Sequence, residues 1–262
     1  MKQTIDPVQT SKQIQTFLKS TMLSARKKRV VIAVSGGIDS AVALTLLVKS
    51  LGAEQITPVF LPYCDQDMNH AKLIVKWNQI DLSQVIELNI NPPVEELVKL
   101  RRINRLSLTK LDAIRLGNMM SRTRMILIYD LAKKLNALVC GTENKSEHQL
   151  GYFTRFGDGA SDVEPLRHLY KTQVRLLAKY LKLPAVFLDK PPSAGLWINQ
   201  TDEQELGFSY EVADQVLEQL VDQHKRATQI KVPGVSQALV RKVISQVKNQ
   251  EFKQQVPYVV GG

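Results

Sequence analysis

Apolar residues recur along this chain in two alternating textures: short β-branched runs, and longer stretches with helical spacing. After Thr10-Ser11-Lys12-Gln13, which resembles a capping box, Ile14, Phe17, Leu18, Thr21 and Met22 stand at i, i+3, i+4, i+7 and i+8. That spacing predicts a peripheral amphipathic helix over 10–27. Val30 to Val34 is short, β-branched and closed by a glycine pair, as a strand buried on both faces of a parallel sheet requires. Asp39 to Leu51 is apolar all round and stops at Gly52, which predicts a deeply buried helix. The alternation continues with strands at Ile56 to Leu61, Val85 to Ile90 and Ala137 to Cys140. Between them lie helices at about Asp67 to Ile80 and up to about Leu135. Past Gly141 a Gly- and Asp-rich loop runs through Pro165, followed by a helix starting near Lys171 with Val174, Leu177, Ala178 and Leu181 on one stripe. Lys190 to Tyr210, with Pro191-Pro192, reads as a long surface loop able to serve as a lid, and Val240, Val243, Ile244 and Val247 mark a last helix.

Strands alternating with helices at this spacing build right-handed βαβ units, so the expected fold is a doubly wound, Rossmann-like parallel sheet flanked by helices. Ligands in such sheets sit at the C-terminal ends of the strands. The 262 residues are expected to form a single domain, with the helix at 10–27 and the helix and tail at 235–262 as peripheral elements. The first thirty residues hold no apolar leader core, and no stretch approaches the ~18 uninterrupted apolar residues of a membrane span, so a cytoplasmic protein is expected. Cys64 and Cys140 form no CxxC motif and are expected to be buried thiols. The net charge of +10 favours an anionic partner, yet with no run of five basic residues and 6% aromatics, a stacking platform for nucleic acid is poorly supported.

Candidate chemistry enters at Ser35-Gly36-Gly37-Ile38-Asp39-Ser40, between the first strand and its helix. The segment is neither Walker A nor GxGxxG. Its glycines let successive N–H groups form an anion nest at a helix N-terminus, and Ser35 and Ser40 can add hydroxyl donors. Asp39 would repel a phosphate unless a divalent cation lay between them, which predicts magnesium; the alternative is an ordinary strand-to-helix turn with Asp39 near the N-cap. SGGxDS after a first strand resembles the pyrophosphate loop of the N-type ATP pyrophosphatases.

Three further stretches are similar to those of the ammonia-dependent NAD synthetases in that superfamily: Gly117 to Met125 (GNMMSRTRM), Gly141 to Glu147 (GTENKSE) and Gly151 to Asp162 (GYFTRFGDGASD). With Asp202-Glu203 and Ser209-Tyr210 the resemblance covers nearly the whole chain. It implies an adenine nucleotide alpha hydrolase-like fold, a homodimer, and a ligase that joins deamido-NAD and ammonia with ATP and Mg2+ to give NAD, AMP and pyrophosphate. By the same resemblance Ala33, Val34, Ser35, Gly36, Gly37, Ile38, Asp39, Ser40, Thr142, Lys171 and Ser193 would bind ATP, and Asp39 with Glu147 would hold the metal. Asp39, Glu147 and Lys171 would carry the chemistry, while Arg122, Arg155, Asp162 and Lys253 would face deamido-NAD. Arg122 and Arg124, two apart on a helix, must point to different faces, so only one of them can serve the ligand.

Some positions depart from the pattern: Phe252 replaces a histidine, Arg155 a common lysine, and Phe60 a frequent arginine. A tRNA-modifying relative sharing the loop suits the charge, but the catalytic cysteine pair of that group is missing. A nucleotide-binding sensor without turnover is opposed by the retention of Asp39, Glu147 and Lys171. No nitrilase-like glutaminase domain fits within 262 residues, so ammonia is the expected nitrogen donor.

Overall fold

Val30, Val31 and Ile32 lose all solvent contact, and the β-branched run they begin forms the strand β1 (Arg29–Ala33) at the centre of the sheet. A computed structural model describes residues 4–101, 103, 109–193, 201–255 and 257–260. In it β1 pairs in parallel with β2 (Ile56–Phe60) on one side and with β4 (Ala137–Cys140) on the other, Val30 lying opposite Ile56 and Leu138. A two-residue β3 (Ile86–Glu87) completes the order β3-β2-β1-β4. The winding direction reverses at β1, so the crevice at the C-terminal ends of β1 and β4 is where this fold collects ligands.

Successive residues of β1 enter opposite cores, which is why the run is hydrophobic without alternation. Val30 and Ile32 pack among the helices α1 (Pro7–Ser24), α2 (Ile38–Leu51), α3 (Asn69–Trp77), α7 (Lys171–Tyr180) and α8 (Ala185–Asp189). Val31 packs under α4 (Asn91–Leu100) and the long α5 (Lys110–Leu135). A third cluster joins α6 (Lys145–Leu150), α9 (Asp202–Leu206), α10 (Tyr210–Leu217) and α11 (Gln237–Gln250) around Leu150, Tyr210, Val216 and Val240. Together these place helices on both faces of a parallel sheet, as expected.

Several expectations shift. Helix α1 begins at Pro7, before the presumed capping box, because the Asp6 carboxylate accepts the Val8 and Gln9 N–H groups and Pro7 has no N–H to satisfy. Thr10 and Ser11 are therefore buried helix residues. The stretch at 141–165 is not all loop, since Asn144 caps the short α6 through a reciprocal box with Glu147. Only Ile86 and Glu87 of the strand expected at 85–90 pair with β2. Of the loop expected at 190–210, residues 194–200 lie outside the described residues, and Asp202–Leu206 is helix. Cys140 is buried as expected, but Cys64 is exposed, on the turn that follows β2. Among the described residues no helix is long and apolar enough to cross a membrane.

Candidate active site

The turn from β1 into α2 places Gly36 at φ +77°, a left-handed conformation that glycine adopts without strain. It also leaves no room for a side chain, because a Cβ on Gly36 would lie 2.9 Å from both the Ala71 backbone nitrogen and the His70 Cβ. Gly37 caps α2, and the Gly37 N–H donates to Ser35 Oγ at 3.3 Å. The two hydroxyls, Ser35 Oγ and Ser40 Oγ, lie 3.2 Å apart, and Ser40 Oγ also donates to the Gly37 carbonyl at 3.0 Å. The loop is thus preset around its own backbone, with Asp39 in the first turn of α2.

Three elements converge on Asp39. Asn144, buried at the cap of α6, donates through Nδ2 to Asp39 Oδ1 at 2.9 Å. Lys171, the first residue of α7, reaches Asp39 Oδ2 at 2.5 Å and Glu147 Oε1 at 2.9 Å while only 2% exposed. Burial opposes the charge on Lys171, but Asp39, Glu147 and Asp202 hold its ammonium above the usual lysine range. Burial pushes the Glu147 carboxyl up to about 8; Lys171 pulls it down and Asp39 pushes it further up. Asp202, at the start of α9, is raised mainly by burial and accepts from the Tyr210 hydroxyl at 3.1 Å.

Lys171 is itself held from behind. Its backbone N–H donates to Ser146 Oγ at 2.8 Å, Ser146 Oγ donates to Asp214 Oδ1 at 2.5 Å, and Thr172 N–H donates to Asp214 Oδ2 at 2.9 Å. Asp214, 1% exposed and pushed up to about 6 by burial, therefore ties α10 to the starts of both α6 and α7.

These groups line a cavity of about 1400 Å³ at the C-terminal edge of the sheet. Of the residues expected to bind ATP, Ala33, Val34, Ser35, Gly37, Ile38, Asp39, Ser40, Thr142, Lys171 and Ser193 line it, as do Glu147 and Lys253. Gly36 supplies the bend rather than the wall. Lys253 Nζ donates to the Gly151 and Phe153 carbonyls at 2.6 and 3.0 Å, and burial lowers its pKa.

Arg122, Arg155 and Asp162 lie outside the cavity wall. Arg122 is exposed and donates to the Arg155 carbonyl at 3.3–3.4 Å. The Arg155 guanidinium sits over the rings of Phe156 and Phe252 at 5.4 and 5.6 Å. Asp162 accepts the Val139 N–H at 2.8 Å and so holds the edge of β4. Phe60 belongs to the core.

The cavity face of α5 carries Arg124, whose Nε donates to the Leu61 carbonyl at 3.0 Å and whose Nη2 donates to Gln66 Oε1 at 3.2 Å. Burial lowers its pKa to about 10, so it stays charged at neutral pH. Sequence periodicity separated the two arginines correctly but carried no signal for which one faces inward. Asn144, Ser146 and Asp214 were also missed. Only the Asn144/Glu147 spacing, three apart before an apolar position, signalled a cap.

A glycine loop, two hydroxyls, two carboxylates and a buried lysine facing one large cavity can hold a polyphosphate and stabilise charge on a departing phosphate. Comparison with known proteins agrees with that chemistry. The NAD synthase family model matches residues 10–257. The NH(3)-dependent NAD(+) synthetase of Thermococcus kodakarensis is 42% identical over 246 residues, 93% of each chain. That of Fusobacterium nucleatum is 37% identical over 93% of this chain and 92% of the relative. Among solved structures, NMN synthetase from Francisella tularensis superposes with TM-score 0.81 at 31% identity, covering 99% of this chain and 100% of that one. NH3-dependent NAD synthetase from Campylobacter jejuni superposes with TM-score 0.77 at 26% identity, covering 98% and 100%. Agreement over nearly the whole chain, in sequence and in fold, leaves one conclusion: the chain belongs to the NAD synthase family.

Proposed function

We propose that this protein is an ammonia-dependent NAD synthetase, a ligase that amidates deamido-NAD at the expense of ATP, working as a cytoplasmic homodimer. The observation that carries the reading is the Lys171 ammonium, buried and in contact with Asp39 of the phosphate loop and with Glu147. A carboxylate oxygen of deamido-NAD attacks the α-phosphorus of ATP, and pyrophosphate leaves. Ammonia then attacks the acyl carbon, AMP leaves, and the nitrogen sheds a proton. Neither step needs a side-chain nucleophile, so the protein acts by positioning and by charge stabilisation.

In this reading the Ser35–Ser40 loop cradles the phosphates with backbone N–H groups and hydroxyls, and Thr142 and Ser193 add contacts along the wall. Lys171 neutralises charge that grows on the leaving pyrophosphate. Asp39 and Glu147 both reach the same ammonium, so their oxygens face a common point and suit a hard cation. No group of three metal-type side chains gathers among the described residues, so a magnesium ion held by this pair would take its remaining ligands from phosphate and water. When bound, Mg2+ supplies positive charge for the phosphoryl oxygens. Arg122, Arg155, Asp162 and Lys253 are proposed to serve the dinucleotide. The exposed Leu111, Ile114 and Ile126 of α5 give a second subunit an apolar surface to cover.

The test is NAD formation by the purified protein from deamido-NAD, ATP, magnesium and ammonium, with AMP and pyrophosphate measured alongside. The mononucleotide of nicotinic acid is run in parallel, because the Francisella relative is an NMN synthetase. Stoichiometric NAD and AMP are expected, with no turnover when glutamine replaces ammonium. A folded protein that binds ATP and amidates neither carboxylate refutes the reading.

A further inference from the structure

Lys145 and Lys171 are the first residues of α6 and α7. The unpaired N–H groups at a helix N-terminus oppose a cation there, so each lysine needs an anion close by. Asp39 and Glu147 supply it for Lys171. For Lys145 it is Asp222: the ammonium pairs with Asp222 Oδ1 and lies 4.5 Å from the centre of the Tyr170 ring. The Tyr170 hydroxyl donates to the other oxygen, Asp222 Oδ2, at 2.9 Å. Tyr170 is buried and is the N-cap of α7, directly before Lys171. The two helix starts also meet through backbone, Lys145 N–H donating to the Leu169 carbonyl at 2.8 Å.

Asp222 reaches this point because α10 does not run on as an α-helix. Glu218–Asp222 forms a π turn, closed by Gln223 N–H donating to the Glu218 carbonyl at 3.0 Å. Eight residues at the ~100° per residue of an α-helix would turn Asp222 about 80° away from Asp214. The wider i→i+5 turn advances each residue by less and takes up that excess. Both carboxylates therefore face the same pair of helix starts. Asp214 holds Ser146 and the Thr172 N–H, and Asp222 holds Lys145 and Tyr170. Lys171 lies between the two anchored positions of its own segment, and Glu147 directly follows those of α6.

We propose that Asp222, acting through Tyr170 and Lys145, is a positioning residue for the amidation: it fixes the starts of α6 and α7 against each other, and with them the spacing of Glu147 and Lys171 at the reacting phosphate. The inference rests on the synthetase reading of the site. Asp222, Tyr170 and Lys145 form no part of the cavity wall, so their effect on the reaction runs through the two helices. Lys171 meets its full load of negative charge only as pyrophosphate leaves. A loosened Lys171 therefore costs the transition state more than it costs substrate binding.

The test is steady-state kinetics of the full chain well below its melting range, with thermal melts alongside, for wild type, D222N, D222A, Y170F and the D222A/Y170F double variant. The Asp222 side chain is 40% exposed, so D222A opens no core cavity. Its kcat is expected to fall about 10-fold, less than the ~10²-fold cost of a full 1 Å misplacement, with the KM for ATP and for deamido-NAD changed less than about 2-fold. Y170F keeps the ring beside Lys145 and loses only the hydroxyl, so kcat should fall about 3-fold. D222N still accepts from the Tyr170 hydroxyl and should retain more kcat than D222A. Because both groups act through one contact, the double variant should keep kcat within about 2-fold of D222A alone. A lower Tm with unchanged kcat in D222A makes Asp222 a fold contact only and overturns the proposal. A rise in KM at constant kcat overturns it, as do a D222N no faster than D222A and multiplicative losses in the double variant. Wild-type protein without turnover removes the synthetase reading and this inference together, whereas an active wild type matched by D222A removes only the inference.

Discussion

Replacing Lys171 with methionine keeps an unbranched side chain one atom shorter and removes its charge, and the structure sets the size of the effect. The ammonium lies 2.5 Å from Asp39 and 2.9 Å from Glu147 and is 2% exposed. At an effective dielectric of about 20, a full charge pair at the Asp39 distance attracts by roughly 6 kcal/mol before desolvation, which costs several kcal/mol per ion. Breaking a buried ionic set from one side costs about 3–5 kcal/mol. Here the loss falls mainly on the Asp39 contact, because the Glu147 carboxyl, pushed up to about 8, already holds its proton for the most part at pH 7 and keeps it once the ammonium is gone. We expect about 3 kcal/mol at pH 7, a fall of roughly 6–10 °C in Tm for a chain of this size.

The pH profile separates this account from a simple packing loss. Glu147 has a folded pKa above its unfolded value, so its stabilising contribution is fully present below the usual carboxylate range and is lost as pH rises through the folded pKa. In the wild type that loss runs its course as pH rises through about 8; in K171M, without the ammonium that pulls the carboxyl down, the proton is held to higher pH and stability should go on falling beyond the wild-type range. Turnover should drop by about 10²–10³-fold, the cost of removing one donor to developing charge. Melting curves from pH 6 to 10 and kcat at saturating substrates make the test. A K171M protein that keeps more than a tenth of wild-type kcat refutes the role of Lys171, and a melting profile parallel to the wild type above pH 8 refutes its coupling to Glu147.

Asp39→Asn retains an acceptor for Asn144 but takes a carboxylate from the buried Lys171 ammonium, so it should fold yet lose about 2–3 kcal/mol, while kcat should fall at least about 10²-fold and the magnesium needed for half-activity should rise; near-normal turnover at low magnesium counts against the metal role. Asp214→Ala leaves Ser146 Oγ and the Thr172 N–H without their buried acceptor, for a loss of about 2–3 kcal/mol in denaturant unfolding, together with a lower kcat through the slackened start of α7. Gly36→Ala adds a Cβ 2.9 Å from backbone at φ +77°, so it should cost about 1–3 kcal/mol and abolish detectable ATP binding by calorimetry; wild-type ATP affinity in that variant would show that the loop does not hold phosphates.

The glycine turn before α2 and the α/β class were legible because both are local. β1, with residues that enter two cores, must be a continuous β-branched run, and a tight turn with a positive φ and a backbone neighbour at 2.9 Å must carry glycine. The boundary of α1 was misplaced because two N-terminal signals compete within a few residues, and Asp6 with Pro7 offers better satisfied donors than Thr10. Helix α6 was hidden because six residues are too few to show a period, although its cap was written in Asn144 and Glu147.

The sequence by itself determined the alternation of strands and helices, the glycine loop with its aspartate, and the family likeness that singles out Glu147 and Lys171. Only the tertiary structure decided that Arg124 rather than Arg122 faces the cavity, that Asp162 holds a strand edge, and that Asp214 stands behind Lys171. The physical reason is range. Turn chemistry and hydrophobic period are properties of a few adjacent residues, whereas Asp214 meets Ser146 across 68 positions and Lys171 meets Asp39 across 132. Contacts between residues so far apart are set by how helices pack on the sheet, and no local pattern encodes them.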